Sequence, residues 1–386
     1  MPSSMALSQI KALFGEVGTM IRLQEVPPCV TFYSEDDFSY LTMEGYIQGL
    51  LAAGQKVAYI TSEARDPLLA EARADFHVLY LKMLGPISLS KSKAPVLVMT
   101  MPDLGALHVA RPAPSTRCVY VFHSLISIHR GYRTDAFDHY DDFFCTGEYQ
   151  LAEITRRFEM LGKPCPRLHK VGYYKLDRVH RMNACYQKKW TDRPTILLAP
   201  SWHTGNLLEA SGLEMVDKLL AADLRVVVRP HPAFFASVYP QGRALTAEFE
   251  KRFGAHPHFL LDKVMNSEQY FHEADLLITD WSGSAYEYAL GTERPVLFVD
   301  TPLKLRNEHW QDYGIVPFEV TMRERVGQVM QVSEAGQVAE LAGQMLGRSE
   351  AYREALIALR QQEIFNFGNS AAVGTKLLTE FLRAAS

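Results

Sequence analysis

Short apolar runs alternate with amphipathic stretches along the first part of the chain. Six runs consist mainly of apolar, β-branched or aromatic residues, a pattern typical of strands buried on both faces of a parallel sheet. The predicted strands are Cys29–Tyr33, Lys56–Thr61, Phe76–Tyr80, Pro95–Thr100, Arg117–Phe122 and Asp142–Thr146. A helix is predicted between the first two, with Ser34 as N-cap, Asp37 three residues later and Gly54 at its end. This alternation predicts a doubly wound α/β sheet.

A second alternating series begins after residue 194. Its predicted strands are Thr195–Ala199, Leu224–Arg229, Phe259–Leu261, Leu276–Thr279 and Val296–Val299, with helices near 209–222, 267–273 and 284–291. The basic and polar stretch Arg178–Arg193 is the expected linker between the two series. The chain from 334 to 386 is predicted to be helical. Two such sheets leave a cleft between them, and ligands bind beyond the carboxyl ends of the strands.

The spacing of apolar residues over 6–21 predicts a one-sided helix. Its apolar positions are Ala6, Leu7, Ile10, Leu13, Phe14, Val17 and Ile21. We expect this face to pack on its own domain, and the alternative is a helix that binds a membrane surface or a partner. Because only Lys11 and Arg22 are basic here, an electrostatic lipid anchor is weak.

Length and composition predict a globular protein of two domains. The chain has 386 residues, of which 47% are hydrophobic and 22% charged. A net charge of −4 argues against nucleic acid as a partner. The five cysteines include no C-x-x-C pair and favour free thiols in a reducing compartment. Without a signal-peptide pattern or an apolar run of membrane-spanning length, we expect a cytoplasmic protein.

Polar loops follow three predicted strands of the second series, at the ends where ligands bind. In Arg229-Pro230-His231-Pro232 the prolines restrict the backbone and aim His231, while Arg229 is a permanent cation suited to phosphate. Another loop, 199–205, contains Ser201. Because several loops of one sheet converge, we expect a binding site for a phosphorylated ligand here. An incidental histidine in a turn is the alternative for His231.

The third loop opens a helix, whose N–H groups and dipole favour an anion. The candidate donor-binding residues in and after this loop are Thr279, Asp280, Ser282, Gly283, Ser284 and Glu287. Gly283 would allow close approach of a phosphate. Ser282 or Ser284 is also the expected N-cap. Glu287 could accept hydrogen bonds from ribose hydroxyls, or could be a solvated helix residue.

In the first half, His123 follows a predicted strand and faces the expected cleft, where a general base would lie. A hydrogen-bonded loop histidine is the alternative. No P-loop, G-x-G-x-x-G or His/Cys cluster is present, so we expect neither a metal nor a cofactor. The acidic pairs Asp36-Asp37 and Asp141-Asp142 fit helix starts or strand edges better than metal coordination.

Five segments occur in order between about residues 117 and 370. They are Phe122-His123-Ser124, Gly172-Tyr173-Tyr174-Lys175-Leu176-Asp177, Leu197–Trp202, Arg229–Pro232 and Ala274–Phe298. This series resembles the CDP-glycerol glycerophosphotransferase family, which includes teichoic-acid polymerases. The chain departs from the family pattern in Tyr174 for proline and Trp281 for tyrosine. In addition, Ser124 stands where the family has glycine, and Gly283 where it has a second serine.

The resemblance implies a GT-B fold, in which two doubly wound, Rossmann-like domains face a central cleft. We therefore expect an acceptor-side domain at 1–185, a nucleotide-donor domain at 186–345 and a closing helical segment at 346–386. The resemblance implies transfer of a polyol phosphate from a CDP-activated donor to a hydroxyl of a saccharide, polymer or lipid-linked acceptor, as in teichoic-acid or capsule synthesis. It also suggests contact with the inner face of the cell membrane.

The same resemblance implies that His123 acts as base and that His231 serves the donor phosphates. His129, Arg130 and Asp177 are candidates on the acceptor side. The enzymatic alternatives are a GT-B glycosyltransferase that uses a sugar nucleotide and a UDP-sugar 2-epimerase. The non-enzymatic alternative is a GT-B-like binding subunit of a complex that synthesises polymers.

Overall fold

Two parallel β-sheets organise the chain, and the computed structural model describes residues 4–105, 109–235, 239–264 and 268–385. The elements of the first half are α1 (Ser4–Glu25), β1 (Val30–Ser34), α2 (Asp37–Ala52), β2 (Val57–Thr61), β3 (Phe76–Tyr80), α3 (Gly85–Ser90), β4 (Val96–Met99), β5 (Arg117–Val121), α4 (Ile128–Gly131), β6 (Asp142–Cys145), α5 (Glu148–Leu161), β7 (Arg167–Lys170) and α6 (Tyr174–Cys185).

The first sheet has seven strands in the order β3-β2-β1-β4-β5-β6-β7, all parallel. β1, β2, β4 and β6 are buried along their whole length. Their side chains alternate between two apolar clusters, one on each face of the sheet. These runs are mainly apolar because both faces are covered, and their polar side chains, such as Thr31 and Asp142, are buried as well.

The second half contains β8 (Thr195–Leu198), α7 (Leu213–Ala221), β9 (Arg225–Val228), α8 (Gly242–Phe253), β10 (Phe259–Leu261), α9 (Gln269–Glu273), β11 (Leu276–Thr279), α10 (Ser284–Thr292), β12 (Val296–Asp300), α11 (Phe318–Val326), β13 (Gly327–Gln331), α12 (Val338–Leu346), α13 (Ser349–Glu363) and α14 (Ser370–Ala384). Its six strands are parallel, in the order β10-β9-β8-β11-β12-β13.

Helices join the two halves. α6 packs against both α2 and α10, and the non-helical segment 186–194 then leads into β8. α13 packs against α10 and α11, whereas α14 returns to the first half and packs against α2. Leu125 and Tyr173, from the first half, belong to the same apolar cluster as one face of the second sheet. The halves therefore share a continuous core behind the cleft.

Two strands were missing from the prediction. β7 has the sequence RLHK and is at least partly exposed, and β13 has the sequence GQVMQ. Each forms one edge of its sheet. An edge strand tolerates polar residues, so the apolar run that marks a central strand is absent.

The predicted N-cap of α2 was wrong. Asp36, not Ser34, accepts hydrogen bonds from the backbone N–H and the hydroxyl of Ser39, both at 2.8 Å. Ser34 Oγ instead donates to the carbonyl oxygen of Asp36. The cap therefore lies directly before the first helical residue, as N-cap geometry requires.

The helix predicted over 6–21 is present as α1 and contacts β3 of the first half, as expected, but the described part of its predicted apolar face is exposed. Phe14 is 73% exposed, and Leu13, Val17 and Ile21 are also exposed. The side chains of Ala6, Leu7 and Ile10 lie outside the described residues. Glu16 lies on the side of the helix that faces the protein. Its buried carboxylate accepts the backbone N–H groups of Met83 (3.1 Å) and Leu84 (2.8 Å). α1 thus leaves an apolar stripe on the surface.

Candidate active site

Loops at the carboxyl ends of the two sheets meet across the cleft. Ser124, after β5, lies against Gly283, between β11 and α10: a Cβ on Gly283 would fall well inside 3.0 Å of Ser124 Oγ and 2.9 Å from Ile126 Cγ2. Gly283 has φ −63° and ψ −23°, which any residue can adopt, so what limits the side chain at this position is space and not backbone conformation. We expected the small residue to admit a phosphate, but in this structure the group that approaches it is Ser124.

His123 is held as a neutral base. Its Nδ1 lies 3.0 Å from the carbonyl oxygen of Thr100, which can only accept, so Nδ1 carries the proton. Nε2 therefore has the lone pair, which accepts the hydroxyl of Tyr132 at 3.1 Å. Burial lowers the pKa of His123, and Lys175 adds to the lowering. The ring is thus uncharged near neutral pH, with its basic nitrogen hydrogen-bonded to Tyr132.

His231 has the opposite tautomer. Its Nδ1 accepts the backbone N–H of Ala233 at 3.1 Å, which leaves the proton on Nε2. Burial, together with Lys304 and Arg229, lowers the pKa of His231 to about 3. The side chain is therefore a neutral hydrogen-bond donor at any ordinary pH. Arg229 lies nearby, with its guanidinium 4.5 Å from the ring centroid of Phe271.

Thr279 and Asp280 hold the loops of the second sheet together. The Asp280 carboxylate is fully buried and accepts the backbone N–H groups of Ser201 (2.7 Å) and Leu207 (3.0 Å). The Thr279 hydroxyl donates to the carbonyl oxygen of Ala199 at 2.6 Å. These contacts fix the loop after β8 against the end of β11. Both side chains thus form the framework of the site.

The Ser201 hydroxyl lies 2.8 Å from Nδ1 of His203, a residue that we had not singled out. His203 Nε2 is buried and has no hydrogen-bond partner among the described residues. Burial lowers the pKa of His203. Ser201 and His203 therefore form a polar pair next to the Asp280 framework.

The start of α10 differs from the predicted capping. Gly283 is the N-cap, and no side chain makes a capping hydrogen bond. The hydroxyls of Ser282 and Ser284 lie 2.8 Å from each other instead. With no side-chain cap, the positive end of the helix dipole points into the cleft, an arrangement that favours an anion.

Glu287 is engaged on both oxygens. It accepts the Tyr173 hydroxyl at 2.7 Å and forms an ion pair with Lys175 at 2.9 Å. Tyr173 and Lys175 belong to the segment that resembles the family's Gly-x-Pro-Arg-x-Asp. A ribose that binds Glu287 would therefore have to share this carboxylate with Lys175 or Tyr173.

Asp177 lies away from the cleft loops. Its carboxylate accepts the backbone N–H groups of Gly368 (2.8 Å) and Ser370 (3.1 Å) and also the Ser370 hydroxyl. These bonds cap the start of α14 and attach it to α6. The geometry gives Asp177 a structural task, which a motif match by sequence does not reveal.

His129 and Arg130 lie buried between the two halves. The nitrogens of His129 lie 3.2 Å from Glu153 Oε1 and 3.2 Å from the carbonyl oxygen of Ile315. Arg130 forms a buried ion pair with Glu319 on α11 at 3.0 Å. These contacts connect the loop after β5 with the second half, so both side chains are committed to the domain contact.

A cationic group that the sequence interpretation overlooked follows β12. The Lys304 ammonium lies 5.3 Å, and the Arg306 guanidinium 4.8 Å, from the ring centroid of Trp202. Trp202 in turn contacts His231, with 5.9 Å between ring centroids. Trp281 is contacted similarly by Arg130 and Arg323. The signal in the sequence was a basic loop after a strand of the second sheet.

The acidic pair Asp141-Asp142 has other partners than metal ions. Asp141 binds Arg111 through two 2.7 Å hydrogen bonds, and Asp142 binds Arg117, Arg167 and His169. Within the described ranges, no three His, Cys, Asp or Glu side chains are grouped so as to hold a metal ion. No helix in the described parts of the chain is long and apolar enough to cross a membrane.

Two facing, doubly wound parallel sheets define the GT-B class of fold. The chain is similar to the wall teichoic acid polymerase TagF over 98% of its own length and 97% of that chain, with a TM-score of 0.59 and 14% identity. This similarity confirms the predicted GT-B fold and, at the level of fold, the family resemblance.

Other solved structures share this fold. UDP-GlcNAc 2-epimerase from Methanocaldococcus jannaschii matches 91% of this chain over 98% of its own length, with a TM-score of 0.54 and 11% identity. The UDP-forming α,α-trehalose-phosphate synthase from Burkholderia vietnamiensis matches 93% of this chain over 99% of its own length, with a TM-score of 0.54 and 8% identity. No protein-family model matches the sequence, and no curated protein is similar to it in sequence.

Proposed function

We propose that this chain is a transferase that moves a polyol phosphate from a CDP-activated donor to a hydroxyl of a saccharide or polymer acceptor in surface-polymer synthesis. The observation that carries the proposal is the arrangement of groups across the cleft. A neutral, oriented His123 belongs to the first half, and the second half supplies Arg229, His231 and the start of α10. The ordered motifs and the fold shared with TagF support the donor class.

The reaction would proceed in one displacement. The acceptor oxygen attacks the β-phosphorus of the donor, an O–P bond forms, and the bond from that phosphorus to the bridging oxygen breaks. CMP leaves with the electron pair. Because Nε2 of His123 already accepts the Tyr132 hydroxyl, the acceptor proton reaches Nε2 through Tyr132, which gives up its own proton and takes that of the acceptor.

Charge on the leaving phosphate would be stabilised by the second half. Arg229 supplies a fixed positive charge, and His231 supplies an N–H group without competing for the acceptor proton, since its pKa is about 3. The N-terminus of α10 adds a helix dipole. Stabilisation of charge that develops in the transition state is commonly the largest contribution to such catalysis.

The products distinguish this proposal from its alternatives. Purified protein is incubated with CDP-glycerol and a saccharide or polyol-phosphate acceptor and followed by ³¹P NMR. We expect CMP and a new phosphodiester in equal amounts, and their formation about 10²–10⁴ times slower with His123→Gln. Release of a nucleoside diphosphate from a sugar nucleotide would indicate a glycosyltransferase instead. Isomerisation of a UDP-sugar without net nucleotide release would indicate an epimerase, and donor binding without turnover a binding subunit.

A peripheral membrane contact is part of the proposal, because the implied acceptors include lipid-linked saccharides. Phe14, Val17 and Ile21 on α1 are exposed, and so is Met83, whose backbone N–H binds Glu16 of α1. Lys82, which precedes Met83 on the segment that binds Glu16 of α1, is exposed as well. An apolar stripe with a basic side chain near it fits an anionic lipid surface.

Vesicle flotation tests this contact. Wild-type protein should float with vesicles that contain phosphatidylglycerol and less with pure phosphatidylcholine. Exchange of Phe14 and Val17 for serine should abolish flotation while activity on a soluble acceptor persists. Exposed Leu305, outside this stripe, provides the control substitution to serine. Equal flotation of the Phe14/Val17 variant and the Leu305→Ser control would contradict the membrane contact of α1.

A further inference from the structure

The loop after β12 lies across the cleft and is held at both ends. Near its start, the carbonyl oxygen of Thr301 accepts Nε1–H of Trp281 at 2.9 Å. Further on, Asn307 donates to the carbonyl oxygen of His129 at 2.7 Å and accepts the Thr134 hydroxyl at 2.9 Å. The first anchor, Trp281, follows β11 of the second sheet. The second anchor, formed by His129 and Thr134, belongs to the first half of the molecule. Lys304 lies between these anchors, so its position depends on both halves of the molecule.

Lys304 is a half-buried cation on this loop. Among the described residues, no carboxylate forms an ion pair with its ammonium group, which lies over the Trp202 ring. Two acids contribute to its electrostatic surroundings, but each has other partners: Asp280 accepts two backbone N–H groups, and Glu319 pairs with Arg130. An uncompensated charge in a partly desolvated position is costly unless a ligand neutralises it.

The position of Lys304 indicates what that ligand is. Trp202 contacts both Lys304 and His231, and the positive charge of Lys304 acts on both His231 and His203. We infer that Lys304 binds a phosphate of the nucleotide donor, on the side where the nucleotide leaves. This inference rests on the proposed function, to which it adds a phosphate-binding residue outside the segments that resemble the family motifs.

The ionisation of Lys304 agrees with this role. Burial and Arg306 from its own loop lower its pKa to about 8, Asp280 at the end of β11 and Glu319 on α11 oppose the shift, and Arg130 on α4 adds to it. Below about 8 the ammonium is charged, and as pH rises through this value the charge is lost. The affinity of the unliganded protein for a phosphate should therefore fall as pH rises through about 8.

Calorimetric titration with CDP, CMP and cytidine tests the inference. We expect Lys304→Met to weaken CDP binding by about 10- to 150-fold, the range for a charged hydrogen bond, and to leave cytidine binding unchanged. Lys304→Arg keeps the charge and should stay within a few-fold of wild type. Lys251→Met, at an exposed position on α8, is the matched control. Melting curves verify that each variant is folded.

The same titrations at pH 7 and 9.5, both above the second phosphate ionisation near 6, should show weaker CDP binding at the higher pH for wild type and a smaller change for Lys304→Met. If Lys304→Met is unfolded, the inference is tested by the pH dependence of CDP binding to the wild type and by the CDP affinity of Lys304→Arg. CDP binding by Lys304→Met at wild-type strength overturns this inference and leaves the proposed function standing. Failure of the wild-type protein to bind CDP, UDP or GDP overturns both.

Discussion

The contact between Ser124 and Gly283 predicts an interaction that a double-mutant cycle can measure. A methyl group at position 283 would overlap Ser124 Oγ and press on Ile126 at 2.9 Å. Ser124 belongs to one half of the molecule and Gly283 to the other, so the overlap can be relieved if the cleft opens. Gly283→Ala should therefore disfavour the closed arrangement.

The expected magnitude follows from overpacking at a close contact, which costs about 1–3 kcal/mol. If catalysis needs the closed cleft, Gly283→Ala should lower kcat/KM by about 5- to 150-fold. Ser124→Gly removes the hydroxyl that the new methyl meets, so adding it to Gly283→Ala should restore most of the loss. The assay is the initial rate of CMP release for wild type, both single variants and the double variant.

The control is another glycine. Gly343 lies within α12 and has no atom within 4 Å of a Cβ placed on it, so Gly343→Ala should be neutral or slightly stabilising. The reasoning is refuted if Gly283→Ala has the same rate as Gly343→Ala, or if Ser124→Gly fails to restore activity in the double variant. The family that the chain resembles has glycine at the position of Ser124 and serine at the position of Gly283. The double variant, with glycine at 124 and alanine at 283, approaches this combination.

Three further predictions concern the site and its support. His123→Gln should lower kcat by about 10²–10⁴-fold and leave CDP affinity unchanged, whereas His231→Gln should lower both kcat and CDP affinity, as measured by initial rates and calorimetry. A normal kcat in His123→Gln would mean that the base lies elsewhere. A normal kcat in Tyr132→Phe would exclude the proton relay through Tyr132. Asp177→Ala removes the cap of α14 and should lower the melting temperature by roughly 2–4 °C with kinetic constants unchanged; a changed KM for the acceptor would restore Asp177 as an acceptor-side residue. Transfer should persist in EDTA, and a loss that Mg²⁺ or Mn²⁺ reverses would contradict the expected metal independence.

Much of the fold was predictable because burial on both faces leaves a strong pattern. β1 and β11 lie within one residue of their predicted limits, since a strand buried on both sides is mainly apolar. The edge strand β3 was also predicted within its limits, because four of its five residues are apolar or aromatic. The edge strands β7 and β13 carry no such pattern and were missed. On α1 the apolar periodicity indicated a helix correctly, but it could not indicate which side faces the protein, because buried Glu16 finds its partners on a loop distant in sequence.

The candidate site was only partly predictable, because motifs identify residues and not their partners. The loops after β9 and β11 were expected at a strand end, and they lie there. Glu287 and Asp177 match the motif pattern, yet their contacts to Lys175 and to the start of α14 depend on tertiary structure. Lys304 was overlooked because its neighbour Trp202 lies on another strand's loop.

The return of α14 to the first half has a consequence for synthesis on the ribosome. α2 carries Gly49, whose missing side chain makes room for Thr375 of α14, and Tyr46 of α2 contacts Gly374. All strands of the first sheet are translated before β8, but this face of α2 stays uncovered until residues beyond 370 have emerged. The first half therefore cannot finish folding before α14 has been synthesised, and a chain truncated before α14 would expose an apolar helix face far from the truncation in sequence.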